Sequence, residues 1–107
     1  MTSKQVKQIR AALGLTLEEL GRAMLVSWTT VWRWENGYAE KMDPLRRLVL
    51  EEILAEISSR TAKQSGEAAK RWARLAGSAA PAQFVAEALF AVGRRQMRRR
   101  AEGSAKR

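Results

Sequence analysis

Apolar residues recur along this chain at three- and four-residue intervals, the spacing of one buried helix face. Val6, Ile9 and Leu13 form such a stripe over residues 3–13, and Gly14 stands where a left-handed helix end belongs. Thr16 followed by Glu19 reads as a capping box: the hydroxyl accepts the Glu19 backbone N–H, and the carboxylate reaches back to Thr16. Leu17, Leu20 and Met24 then give the stripe of a two-turn helix. It must break near Leu25–Val26, because Ser27 is the next residue suited to a cap. The segment Trp28–Glu35 is a further helix, with Val31 and Trp34 inward and Asn36-Gly37 closing it.

Asp43-Pro44 opens a longer helix with Leu45, Leu48, Val49, Ile53 and Ile57 along one stripe. Leu50 and Leu54 widen that stripe beyond what a single contact surface needs. Ser58 to Gly66 lacks apolar periodicity and reads as a linker or frayed helix end. Ala68, Trp72, Leu75 and Ala76 suggest a short helix, and Gly77 to Pro81 a turn. The last helix is predicted from about residue 81 to 100, with Phe84, Ala88, Leu89 and Val92 inward and the final residues disordered. Alternating β-branched stretches are absent, so the predicted fold class is all-α.

Composition narrows the chemistry. The 107 residues include no cysteine and no histidine, which removes disulfide scaffolds, thiol nucleophiles, imidazole bases and the usual zinc ligand sets. Glu18, Glu19, Glu51, Glu52 and Glu56 look like exposed helix faces with no partner set for metal binding or acid–base work. An enzyme is therefore not expected, and no cofactor or metal either. Twenty Lys and Arg against eleven Asp and Glu give a net charge of +9, which favours polyanionic partners. The charge is uneven: residues 1–60 carry nine basic and eight acidic side chains, residues 61–107 eleven and three. No apolar run approaches the roughly 18 residues of a membrane span, and the N-terminus lacks a signal-peptide core. The expectation is a cytoplasmic, nucleoid-associated protein with no membrane partner.

The run from Leu15 to Gly37 resembles the Xre/Cro-type, lambda-repressor-like family of helix-turn-helix DNA-binding domains. The resemblance is carried by Thr16–Leu20, Val26-Ser27, and Val31 through Trp34-Glu35-Asn36-Gly37, and it extends over roughly residues 3–57. It implies a DNA-binding domain at 1–60, with the helix-turn-helix at about 16–36 and the recognition helix at about 28–35. Trp28, Thr29, Trp32 and Arg33 would then face base edges, and Ser27, Asn36, Tyr38 and Lys41 would meet phosphates of double-stranded DNA. The family also pairs a helix-one arginine with the glutamate before Asn-Gly, here Arg10 and Glu35. Four positions depart from the family pattern. Leu25 replaces a turn glycine, Leu17 replaces a phosphate-binding glutamine, and Glu40 and Asp43 stand where relatives are usually basic.

Each of these residues also has a plainer role open to it. Trp28 and Trp32 either meet DNA, pack against a neighbouring loop, or bind a protein. Arg33 is either a guanine reader or a solvated charge, and Ser27 is a cap in any case. The arginines at 94–100 either meet nucleic acid or complement a helix C-terminus. Trp72, Phe84, Leu89 and Phe90 either complete the monomer core or build a dimer interface. The interface is preferred, because the family's DNA-reading unit closes its own core by about residue 60. Residues 61–107 are then a basic helical extension for dimerisation. The function expected is a sequence-specific transcriptional regulator of a bacterial, phage or plasmid system, a repressor binding a palindromic operator as a homodimer. The alternative is an antitoxin-like or bridging protein whose C-terminal region binds a protein partner while the helix-turn-helix tethers it to DNA. A basic RNA-binding protein is a weaker fit, since no Gly-X-X-Gly signal occurs.

Overall fold

The computed structural model describes residues 1–59, 61–77 and 81–105, without the side chains of residues 81, 82, 98, 99 and 101–105. Among the described residues the regular structure is all helical, with no strand. The α-helices are α1 (Ser3–Leu13), α2 (Leu17–Met24), α3 (Trp28–Arg33), α4 (Pro44–Ile57), α5 (Ala62–Gly77) and α6 (Pro81–Ala105). Between α3 and α4 lie a wide turn, Trp34–Tyr38, and a short tight one, Ala39–Lys41.

Local chemistry sets the first four helices. Thr2 and Thr16 head α1 and α2 with reciprocal capping boxes to Gln5 and Glu19. Ser27 caps α3, and Asp43 caps α4 with Pro44 in its first turn, where a missing N–H costs nothing. The first two helices also end alike. Gly14 and Leu25 both adopt left-handed backbone, and the residue after each donates to a carbonyl five back: Leu15 N–H to Arg10 O at 3.1 Å, Val26 N–H to Gly21 O at 2.8 Å.

One core runs through all six helices. Val6, Ile9, Leu20, Met24, Val31, Val49, Leu50, Ile53, Trp72 and Phe84 are all fully buried in it. Helix α4 lies against α1, α5 and α6 together, which explains why its apolar stripe is wider than one contact needs. The boundary expected at residue 60 is therefore not a boundary of the core: α5 and α6 pack onto α2 and α4. Trp72 and Phe84, expected at a dimer interface, instead meet edge to face inside one chain with ring centroids 5.2 Å apart. Burying two such rings is worth several kcal/mol, about 1.5–3 each, which ties the C-terminal helices to the rest.

Other expectations shift for similar reasons. Leu45 and Leu48, placed on the inner stripe of α4, are exposed, and Leu50 takes their place inside. Glu52 and Glu56 are not solvated faces. Glu52 is buried and paired with Arg95 of α6 at 3.1 Å, while Glu56 accepts from Arg71 and from the Trp72 indole of α5. Helix α5 begins at Ala62, within the segment read as a linker, because Thr61 accepts the Gln64 N–H and Ser65 donates to the Ile57 carbonyl. Helix α6 continues to Ala105, past the expected end at Arg100. The turn expected at 77–81 and the disordered end fall partly outside the described residues. No described helix is long and apolar enough to cross a membrane.

Candidate nucleic-acid interface

Helix α3 has six residues, too few to hold itself in solution, so its orientation comes from α2. The contact is made at Gly21. A Cβ there would lie 2.9 Å from the Val26 carbonyl oxygen and 3.2 Å from the Trp28 nitrogen, so only a bare backbone admits the turn at this depth. Leu25 completes the turn at φ 61° and ψ 38°, with its side chain half in solvent. At the α2 start, the Thr16 backbone N–H and hydroxyl hold the Glu19 carboxyl below its ordinary pKa. That carboxylate fills the α2 N-terminus.

The faces of α3 then separate cleanly. Val31 and Trp34 are sealed in the core, while Trp28, Thr29, Trp32 and Arg33 all face outward. Trp28 is 50% exposed and Trp32 48%, so neither packs beneath a neighbouring loop. The four expected base-facing residues therefore share one open surface. Beside it, Trp32, Arg33, Tyr38 and Lys41 line an open groove of about 540 Å³ between α3 and the turns that follow. The Lys41 ammonium sits 5.4 Å from the centre of the Tyr38 ring.

The expected phosphate contacts divide in two. Tyr38 and Lys41 are exposed at the groove. Ser27 and Asn36 are exposed too, but their polar atoms serve the fold. Ser27 Oγ takes the Thr30 N–H and lies 2.8 Å from Thr29 Oγ1, and Asn36 Nδ2 donates to the Trp32 carbonyl at 2.7 Å. The adjoining Gly37, at φ 101°, donates its N–H to Ser3 Oγ at 3.0 Å, fastening the wide turn to α1.

Beneath the turn, Arg10 and Glu35 meet as a two-pronged ion pair, and Arg10 Nη1 also donates to the Leu15 carbonyl at 3.2 Å. Two further arginines point at backbone instead of solvent. Arg46 Nε donates to Met24 O at 3.1 Å, closing the end of α2, and Arg47 reaches the carbonyls of Glu40 and Met42. Asp43 is engaged as the α4 cap.

Of the remaining expected residues, Leu89 is half-buried and Phe90 lies open on α6, with Met97 one heptad further on the same helix. Arg94 and Arg95 face Glu52, whereas the Arg98 and Arg99 side chains lie outside the described residues. Gly21 is the residue that sequence reading missed. Its signal was a glycine inside a capped helix, six positions before the next capping serine. Comparison with models of known protein families, with curated proteins and with solved structures finds no match.

Proposed function

We propose that this chain is a sequence-specific DNA-binding regulator in which α2, the Leu25–Ser27 turn and α3 form a helix-turn-helix, α3 being the recognition helix. The observation that carries the reading is the split of α3 between sealed Val31 and Trp34 and an open face of Trp28, Thr29, Trp32 and Arg33. That face carries groups able to meet base edges in a major groove, and Tyr38 and Lys41 border it at the adjoining groove, where a phosphate strand would pass. The net charge of +9 favours the duplex at long range. On this reading the protein represses by occupying a palindromic operator as a homodimer joined through the open side of α6 at Phe90.

Selection from random duplexes at fixed salt tests this reading. A specific sequence should be enriched, and its affinity should fall about 10³–10⁵-fold between 50 and 200 mM salt if a dimer neutralises some 6–10 phosphates. Equal affinity for every duplex refutes it.

A bridging protein that grips a partner through α6 is the second reading, favoured by Phe90 and Met97, which are 69% and 73% exposed. A stoichiometric partner that copurifies with the chain and is lost in Phe90→Asp supports it. A purified homodimer lost in the same variant supports the regulator.

A further inference from the structure

The outward side of α3 is chemically one-sided. From Leu25 to Arg33 there is no Asp, Glu, Asn or Gln. The three hydroxyls bond one another: Ser27 Oγ lies 2.8 Å from Thr29 Oγ1 and 3.0 Å from Thr30 Oγ1, and it caps the Thr30 N–H. Beside these engaged hydroxyls, what faces solvent is the carbon surface of two indoles, the half-exposed Leu25, and two groups that only donate, the indole N–H and the Arg33 guanidinium.

Base edges in the major groove sort sharply against such a surface. Adenine and cytosine present amino groups, which are best met by a carboxamide or carboxylate acceptor. Guanine presents two acceptors, and thymine one acceptor beside a C5-methyl group. Arg33 and Lys41 line the groove beside Trp32 in a chain of net charge +9, so the complementary occupant of this apolar face is a polyanion and not a second copy of the chain.

Resting on the DNA-binding reading above, we propose that α3 reads the keto bases of one strand: Arg33 takes guanine, and Trp28 and Trp32 close over thymine C5-methyl groups. The methyl groups are then part of the recognised surface. Trp28 and Trp32 lie one helical turn apart, a separation of about 6 Å along the axis. That spans roughly two base steps of about 3.4 Å each, so each indole meets a different thymine. Leu25 extends the same apolar surface at the α3 start.

Replacing every thymine by uracil in the selected duplex removes only the methyl groups and tests the proposal directly. Each buried methyl is worth about fourfold in affinity, so losing two should weaken binding roughly tenfold or more. The double variant Trp28→Ala/Trp32→Ala should bind the thymine and uracil duplexes equally, which shows that the preference passes through these indoles. Both side chains are half-exposed, and an unchanged thermal melt confirms that the variant is folded. Equal affinity of the unaltered protein for the two duplexes overturns the proposal and leaves DNA binding standing. So does a thymine preference that survives in the double variant. Failure to enrich any duplex overturns the DNA-binding reading itself, and this inference with it.

Discussion

The Arg10 guanidinium holds the Glu35 carboxylate through two nitrogens, Nε to Oε2 at 2.8 Å and Nη2 to Oε1 at 3.1 Å. The pair joins α1 to the turn that ends the candidate reading helix. Its two members are buried unequally: the Glu35 side chain is 3% exposed and that of Arg10 31%. Removing Arg10 strands a carboxylate in the interior, whereas removing Glu35 leaves an arginine that reaches water. Arg10→Ala should therefore cost about 3 kcal/mol of stability, and Glu35→Ala nearer 1 kcal/mol. Urea melts of both variants and the double variant check this. Equal single losses, or strictly additive ones, contradict the asymmetry.

At Gly21 helix propensity and packing oppose each other. Alanine in a helix interior is favoured over glycine by about 1 kcal/mol. The added Cβ would stand 2.9 Å from a backbone oxygen at Val26, which has no rotamer by which to withdraw. Gly21→Ala should lose about 1–2 kcal/mol net as the turn shifts. On the proposed function it should also weaken duplex binding more than Gly66→Ala, where a Cβ meets nothing within 4 Å. Melts and duplex titrations of the two variants side by side check both expectations.

Leu25 presents the opposite case. A branched residue held at φ 61° carries strain of roughly 1–2 kcal/mol. Its half-exposed side chain recovers little of that by burial. Leu25→Gly relieves the strain at the expense of a more flexible unfolded chain, about 0.5–1 kcal/mol. The denaturation midpoint should rise modestly, by up to about 1 kcal/mol in stability; a lower midpoint would mean that Leu25 packs more than it strains.

Local signals carried far along the chain, and long-range partners did not. The caps at Thr16, Ser27 and Asp43, the stop at Gly14 and the inward set Val31 and Trp34 are all short-range features that the sequence spells out residue by residue. Trp72 and Phe84 read as residues of a dimer interface because nothing near them in sequence names the partner within the chain that buries them. Trp72 is held by α4, whose Glu56 accepts its indole N–H and whose Leu50 widens the apolar stripe, and Phe84 meets the Trp72 ring. The extra width is visible in the sequence, but which helix it serves is not. Glu52 and Glu56 mislead for the same reason: an acid on a helix looks solvated until a distant arginine, for Glu52 the Arg95 of α6, is brought against it.

That burial has a pH signature. Loss of solvent raises the Glu52 carboxyl above its ordinary value of 4.5; Arg95 pulls it down, Glu56 pushes it up, and Arg94 pulls it down again. A carboxyl with a raised folded pKa holds its proton more tightly in the folded chain. Its contribution is therefore full below the unfolded value and is lost as pH rises through the folded one. Glu52→Gln should flatten the decline of stability that begins near pH 4.5. Arg95→Ala should steepen it, costing about 2 kcal/mol near neutral pH and less in acid, as the carboxylate loses its charged partner. Melts across that range decide it, and a pH-independent Arg95→Ala loss would show that the arginine acts by packing alone.

Arg33 and Lys41 line the same groove, yet the proposed function gives them different tasks. The Arg33 guanidinium, on the open face of α3, can donate two parallel hydrogen bonds to guanine O6 and N7, a pair of acceptors that no other base presents in the major groove. Lys41 stands beyond the wide turn, beside the Tyr38 ring, where a phosphate strand would pass. Arg33→Ala should cost roughly 1–3 kcal/mol on the selected operator, relax preference at one base pair per half-site, and scarcely alter affinity for scrambled duplex. Lys41→Ala should weaken both sequences alike and make the salt slope shallower by about one for each phosphate that Lys41 neutralises. Binding of each variant to operator and scrambled duplex at two salt concentrations separates the two. If Arg33→Ala loses equally on both sequences, that residue is a phosphate anchor, and specificity passes to Trp28, Thr29 and Trp32, whose outward face would then carry the whole of the sequence readout.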